Sequence, residues 1–234
     1  MSASSWTIVR RASTAGEFHA LPIPEPATPQ LWVHEVTRPA LVLGSTQRDQ
    51  VVDRAACDRA GVEVVRRRSG GGAVFLHPGE VVWVDVILPR GGPWWSDDVH
   101  VPMVWLGDRL ERAFALAGHG STRAVEEHRT SSKLSVHSAA MVTTENSPLI
   151  CFDGIGPGEL VTDNGSKAVG ISQRRTRDAA RMQCCWYTRY DPTALTELLV
   201  DAPDPADLRR IALIREEISR NVVESLLSVM DAAW

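Results

Sequence analysis

Lysine is nearly missing from this chain: of 25 lysines and arginines, only Lys133 and Lys167 are lysines. Cysteine is scarce too. Cys57, Cys151, Cys184 and Cys185 show no C-x-x-C or Cys/His spacing, which excludes a zinc module and predicts free thiols in a reducing cytoplasm, with no metal site. No apolar run approaches the ~20 residues of a membrane span. The N-terminus M-S-A-S-S-W-T-I-V-R-R lacks the apolar stretch of a secretory signal. An excess of positive charge is also absent. A formal net charge of -4 speaks against a general nucleic-acid binder and makes any arginine cluster local in purpose. With 234 residues, 44% of them hydrophobic, and no internal repeat or long linker, the expectation is one domain over residues 1–234. A helical tail from about 192 to 234 closes it.

What the chain does have is concentrated in Val65–Phe75, V-R-R-R-S-G-G-G-A-V-F. Three consecutive glycines can take positive φ and bring backbone N–H groups close to a ligand. Successive N–H groups in one concavity form an anion nest, and neighbouring guanidinium groups add charge and paired donors. The stretch therefore reads as a strand, a loop and a strand that hold an anionic small molecule. A solvated arginine face and a plain flexible turn are the other readings of the same residues. It is neither a P-loop nor a dinucleotide fingerprint, since no G-K-[ST] and no G-x-G-x-x-G is present here.

In order, a first strand is expected over 5–10 and an irregular, proline-rich crossing over 14–29. Strands follow at 31–37 and 40–43, a helix over 49–60 ending at Gly61, and a strand over 62–66. E-V-V-W-V-D-V-I-L, residues 80–88, is the clearest strand, and 97–117 is an amphipathic helix. Residues 119–147 are weakly patterned and read as irregular. Short strands are expected at 147–152, 159–161 and 167–172, a longer one at 182–190, and helices at 193–199 and 208–230. Strands and helices mix without regular βαβ alternation, so the fold class is α+β.

A second loaded stretch is N-G-S-K-A-V-G-I-S-Q-R-R, residues 164–175. Asn164-Gly165 predicts a type I′ hairpin, and Lys167 opens the strand after it. A lysine there is ordinarily solvated; in a chain so rich in arginine it also suits a role needing a compact ammonium.

Taken together, the two stretches resemble the lipoate-protein ligase and octanoyltransferase family, relatives of biotin protein ligases. Arg66, Arg67, Ser69, Gly70, Gly71, Gly72, Ala73, Val74 and Phe75 match its R-R-x-S-G-G-G-A-V-F pattern. Gly165, Lys167, Gly170, Ser172 and Arg174 match G-x-K-x-x-G-S-x-x-R, with Ile171 inserted before the serine. Ala40–Gly44 with Gln47 resembles the V-V-I-G-x-x-Q strand end. The resemblance spans roughly residues 30–200.

It implies mixed β-sheets flanked by helices, of the class II synthetase-like kind, around a cleft for an eight-carbon acyl chain. It also implies that ATP, with its Mg²⁺, and lipoate form lipoyl-AMP. The acyl group then passes to a lysine of a lipoyl domain of 2-oxoacid dehydrogenase acyltransferase subunits or of a glycine-cleavage carrier protein. On this view the Arg66–Phe75 loop, Gly170 and Ser172 bind the adenylate, and Lys167 is the catalytic cation. Val74, Val82, Val84 and Val169 are expected to line the acyl tunnel. Several departures favour an alternative. The chain ends soon after the catalytic region, which implies a separate accessory subunit, a sufficient tail or no adenylation. The N-x-A-x-E-E helix motif is missing, His77-Pro78 stands where H-D is common, and Glu80 replaces an asparagine. Cys151-Phe152-Asp153 resembles the nucleophile segment of ATP-independent octanoyltransferases, where Cys151 would attack an octanoyl thioester. A buried structural thiol is the plainer reading of Cys151. A third reading, from another class, is a non-catalytic relative that binds lipoate or a carrier protein.

Overall fold

The computed structural model describes residues 6–118 and 133–230. Two sheets make up its β-structure. The larger takes the order β1-β2-β6-β10-β9-β8-β7, from β1 (Thr7–Ser13), β2 (Gln30–Val36), β6 (Val81–Pro89), β10 (Ala179–Tyr187), β9 (Lys167–Arg175), β8 (Leu160–Thr162) and β7 (Leu134–Val136). The smaller takes β4-β3-β5, from β4 (Glu63–Arg66), β3 (Ala40–Leu43) and β5 (Val74–Leu76). β1 runs parallel to β2 and β3 parallel to β4, while the other pairings are antiparallel, so both sheets are mixed.

Alternation along the strands sorts the core into layers. One face of the large sheet is covered by α3 (His100–Leu116) and α5 (Glu216–Met230), with Val84, Val86, Trp186, Trp105, Leu110 and Val222 buried between them. The small sheet turns Leu41, Leu43 and Phe75 toward α2 (Arg54–Ala60) and α4 (Pro192–Thr196). Its opposite residues, Val42, Val74 and Leu76, face Trp83, Phe152 and Tyr187. The site lies in that space between the sheets.

Several elements differ from expectation, each for a local reason. The crossing expected over 14–29 contains α1 (Ala15–Ala20), started by a capping box in which Thr14 accepts from the Glu17 amide and Glu17 reaches back to Thr14. The helix expected over 49–60 is a 3-10 turn, Asp49–Val51, then α2 capped by Asp53, with Gly61 at φ 64 ending it. Residues 147–152 form no strand. Ile150 makes a single bridge to Ala73, and Cys151–Asp153 is a 3-10 turn. The 208–230 helix starts only at Glu216; residues 208–215 are extended because their main chain is claimed elsewhere. The Ala212 amide donates to the Lys167 carbonyl (2.9 Å) and the Ile214 amide to the Tyr187 carbonyl (2.8 Å). Asn164-Gly165 closes a hairpin but not a type I′ turn. That turn needs positive φ at both residues, and only Gly165, at φ 78, has it. The region expected to be irregular, 119–147, lies partly outside the described residues and elsewhere contains β7.

No helix among the described residues is long and apolar enough to cross a membrane.

Candidate active site

The arginine–glycine loop leaves β4 at Arg66 and returns at β5. Successive side chains of an extended chain point to opposite sides, and the two arginines part accordingly. Arg66 turns outward, donating to the carbonyls of Gly44 (2.9 Å) and Gln47 and pairing with Asp49. It braces the preceding loop and does not enter the cleft. Arg67 is buried, 4% exposed, and donates to the carbonyls of Val42, Gly70 and Gly72, the last at 2.8 Å. Its guanidinium is a pin inside the loop. The loop stays open at the amides of Gly70, Gly71 and Gly72, which donate to no protein acceptor among the described residues. Gly71 has φ 99, and a Cβ at Gly72 would lie 2.6 Å from the Cys151 nitrogen, so backbone packs directly on backbone there. Ala73 carries that contact onward through its bridge to Ile150. Val74 points into the space between the sheets and Phe75 away from it.

Lys167, at the start of β9, is 1% exposed. Its Nζ pairs with Glu159 Oε2 at 2.7 Å and donates to the carbonyls of Cys151 (3.1 Å) and Gly154 (3.0 Å). The Phe152 ring lies 4.8 Å away as a cation–π partner. Burial works against the ammonium, but Glu159, with Cys151 and Cys185 behind it, outweighs that and holds the Lys167 pKa above its ordinary value. Gly170 makes room for this arrangement: a Cβ there would sit 3.1 Å from the Phe152 ring. Ser172 hydrogen-bonds Ser69 at 2.9 Å, which ties β9 to the glycine loop.

Two spaces meet at these residues. A narrow pocket between the sheets is lined mainly by Val42, Val74, Leu76, Trp83, Phe152 and Cys185. A larger, open cleft runs over Gly70–Gly72, Gly154, Glu159 and Lys167. Cys151, Ile171 and Ser172 line both. The Cys151 Sγ lies 3.9 Å from Arg67 Nη2 at this junction. Cys184 and Cys185 are different thiols: burial pushes Cys184 far up and Cys185 up to about 12. Of the four valines expected to line the tunnel, only Val74 does. Val84 and Val169 are buried under α3 and α5 and Val82 packs against them, because Trp83 and Asp85 hold the pocket-side positions of β6.

Residues that the motifs leave out close the pocket's far wall. Ser69 donates to Gln183 (3.3 Å), whose amide meets His19 Nδ1 (3.3 Å). Below them Asp85, 0% exposed, accepts from Trp83 Nε1 (2.7 Å), Arg181 Nε (2.7 Å) and His34 Nε2 (2.9 Å). Burial of Asp85 opposes its charge, but Arg181 and His34 overcome it and lower its pKa. Glu159 is the other residue missed, and the sequence carries only a weak signal for it, an acid just after Gly154–Gly158. The capping box at Thr14 was the available clue to α1, and hence to His19.

Burial lowers the His19 pKa from 6.5 to about 3, helped by Arg181 and Arg67 and opposed by Asp85. The folded chain therefore refuses a proton that the unfolded chain accepts below 6.5, so stability falls as pH drops from 6.5 toward 3. Thermal melts from about pH 7 to about pH 4.5 should show that fall, and His19→Gln should flatten most of it.

Among the described residues no group of three or more His, Cys, Asp or Glu side chains is placed to hold a metal ion. The architecture has solved counterparts. A lipoate-protein ligase A bound with ATP matches at TM-score 0.67 and 12% identity, over 97% of this chain and 86% of that one. A bi-partite lipoate protein ligase of Thermoplasma acidophilum, studied with its E2 lipoyl domain, matches at 0.66 and 14%, over 97% and 84%. The T. acidophilum protein Ta0514 with bound lipoic acid matches at 0.61 and 11%, over 97% and 86%. No curated protein matches the sequence. Identities this low establish the shared fold alone, but the family model for the lipoyl protein ligase A/B catalytic domain matches residues 22–230. That match spans most of the chain, which belongs to the lipoyl protein ligase A/B catalytic-domain family.

Proposed function

We propose that this domain attaches lipoate, activated with ATP as lipoyl-AMP, to a lysine of a lipoyl domain or a glycine-cleavage carrier protein. One observation carries the reading: three glycine amides with no acceptor among the described residues and a buried lysine share one cleft, beside a mainly apolar pocket. Such a pocket takes the acyl chain, and convergent N–H donors take phosphate oxygens. The Gly70–Gly72 amides would hold the phosphate, with Arg67 stiffening the loop beneath them and Ser69 and Ser172 tying it to β9. Lys167 would meet the carboxylate and neutralise the charge that builds at the acyl carbon, its role electrostatic rather than covalent. Holding carboxylate and phosphate together in this space is itself a large part of the acceleration.

The relatives solved with ATP and with lipoic acid support these substrates. The one studied with its E2 lipoyl domain supports the acceptor, and its bi-partite make-up supports a separate accessory polypeptide. Mg²⁺ would arrive on the nucleotide's phosphates. Glu159, the acid in the cleft, already accepts from Lys167, Gly156 N (2.7 Å) and Ile171 N (2.9 Å), and does not fit as a metal ligand. A cytoplasmic setting keeps the four thiols reduced.

The place of Cys151 favours a second reading. Its Sγ lies where pocket and cleft join, within reach of Arg67. As a thiolate it would attack the carbonyl carbon of an octanoyl thioester, expelling the donor's thiolate. The acceptor lysine would then take the octanoyl group and release Cys151. Intact mass spectrometry of an apo lipoyl domain separates the readings. Acylation with lipoate and Mg-ATP, unaffected by Cys151→Ala, establishes the ligase. Acylation from an octanoyl-carrier protein without nucleotide, with octanoate trapped on Cys151, establishes the transferase and overturns the first reading. No product in either arm, with lipoate still bound, restores the non-catalytic relative.

A further inference from the structure

The ammonium of Lys167 has three N–H donors, and three protein oxygens accept them. One goes to Glu159 and one each to the carbonyls of Cys151 and Gly154. A substrate oxygen can reach this ammonium only by displacing a partner. The partners are unequal. The two carbonyls belong to the turn that borders the open cleft, and both residues line it. A carbonyl is neutral and, at the edge of an open cleft, loses a donor at far less cost than a buried carboxylate does. The carboxylate is buried, 3% exposed, and fixed from three directions. The Gly156 amide holds Oε2 at 2.7 Å, the Ile171 amide holds Oε1 at 2.9 Å, and Lys167 completes the set. Removing an ammonium from such a carboxylate would strand a buried charge.

We propose that Glu159 is a positioning residue: it anchors the Lys167 ammonium while the two donors on Cys151 and Gly154 pass to substrate oxygens. This deepens the functional reading above and rests on it.

The surroundings leave Glu159 as the counter-ion. From the 3-10 turn Lys167 meets Cys151 and the Phe152 ring, and from β10 it meets Cys185. Asp153 of the same turn faces elsewhere, accepting from Thr144 and from the Arg209 amide. The extended 208–215 segment reaches Lys167 through main chain, at the Ala212 amide. The device therefore needs both halves of Glu159. Its charge keeps the lysine an ammonium in a buried place, and its two amide bonds keep the charge from moving.

The near absence of lysine makes the test direct. With ¹³C-labelled lysine the protein gives only two side-chain signals, from Lys133 and Lys167. In the wild type, Lys167 should titrate above the ordinary lysine value, and in Glu159→Gln clearly lower than in the wild type. Acylation of the lipoyl domain by Glu159→Gln should fall about 10²-fold in kcat with KM for the lipoyl domain little changed, and should acquire an alkaline decline. An unshifted Lys167 titration, or a wild-type kcat, overturns the proposal. Should Glu159→Gln fail to fold, Glu159→Asp carries the test, since it keeps the charge and loses the reach. A lowered kcat with wild-type Lys167 titration supports anchoring, and an unchanged kcat overturns it. If the wild type acylates nothing, the functional reading fails by itself, and the titration still tests the pair.

Discussion

Lys167→Ala is expected to lower acyl transfer by at least about 10²–10³-fold, the cost of removing one preorganised electrostatic group from a buried site. Two losses combine. The first is the cation itself: Arg67 is committed to loop carbonyls and Arg66 faces the 44–49 loop, so neither can replace it. The second is local order. Lys167 ties the Cys151 and Gly154 carbonyls to Glu159, and without it the 151–154 turn is released from β9. Breaking a buried pair from one side costs about 3–5 kcal/mol, so the melting temperature should fall as well. Lys167→Arg should not restore activity, because a planar fork cannot reproduce three converging bonds from a single nitrogen. Steady-state acylation of a lipoyl domain, with a thermal melt of each variant, checks this. A variant that melts normally and still transfers would remove Lys167 from the mechanism.

Asp85→Ala should damage the fold itself. Asp85 neutralises Arg181, itself 2% exposed, and accepts from His34 and Trp83 at a fully buried position. Its removal leaves a guanidinium buried without a counter-charge, a loss of about 3–5 kcal/mol. At this chain length that corresponds to a melting temperature lower by about 10 °C. The damage should reach the pocket. Arg181 also donates to the carbonyls of Phe18 (2.8 Å) and Leu21 (3.2 Å), and so holds α1, with His19, against the sheet. Differential scanning calorimetry reads the first effect, and weaker lipoate binding by calorimetric titration reads the second. Asp85→Asn, which keeps the shape, should lose less stability.

The parts of the site legible in the sequence were those built from neighbours in the chain. Three glycines in a row announce a close backbone approach wherever they fold, and Lys167 stood out against a background of arginine. The partners were not legible, because they come from afar. Glu159 meets Lys167 across a hairpin, Asp85 meets Arg181 across two strands, and nothing in either local pattern links them. Motif matching also cannot tell a residue that faces a ligand from one that braces the loop, and Arg66 proved to be the second kind. Local apolar pattern misled at 208–215, where Ile211, Ala212, Leu213 and Ile214 fit a helix. Bonds to Lys167 and Tyr187 hold that segment extended. Tertiary hydrogen bonding there outweighs local propensity.

That extended segment has a consequence for biosynthesis. The main chain of Lys167 is completed by Ala212, and Arg209 reaches back to the Asp153 and Gly165 carbonyls. A nascent chain leaving the ribosome N-terminal end first, at about 5–20 residues per second, exposes the glycine loop and the lysine hairpin some seconds before their fastening. During that interval the hairpin must wait in the company of chaperones or its own neighbours. A segment translated after both motifs is thus the one that fastens the floor of the site.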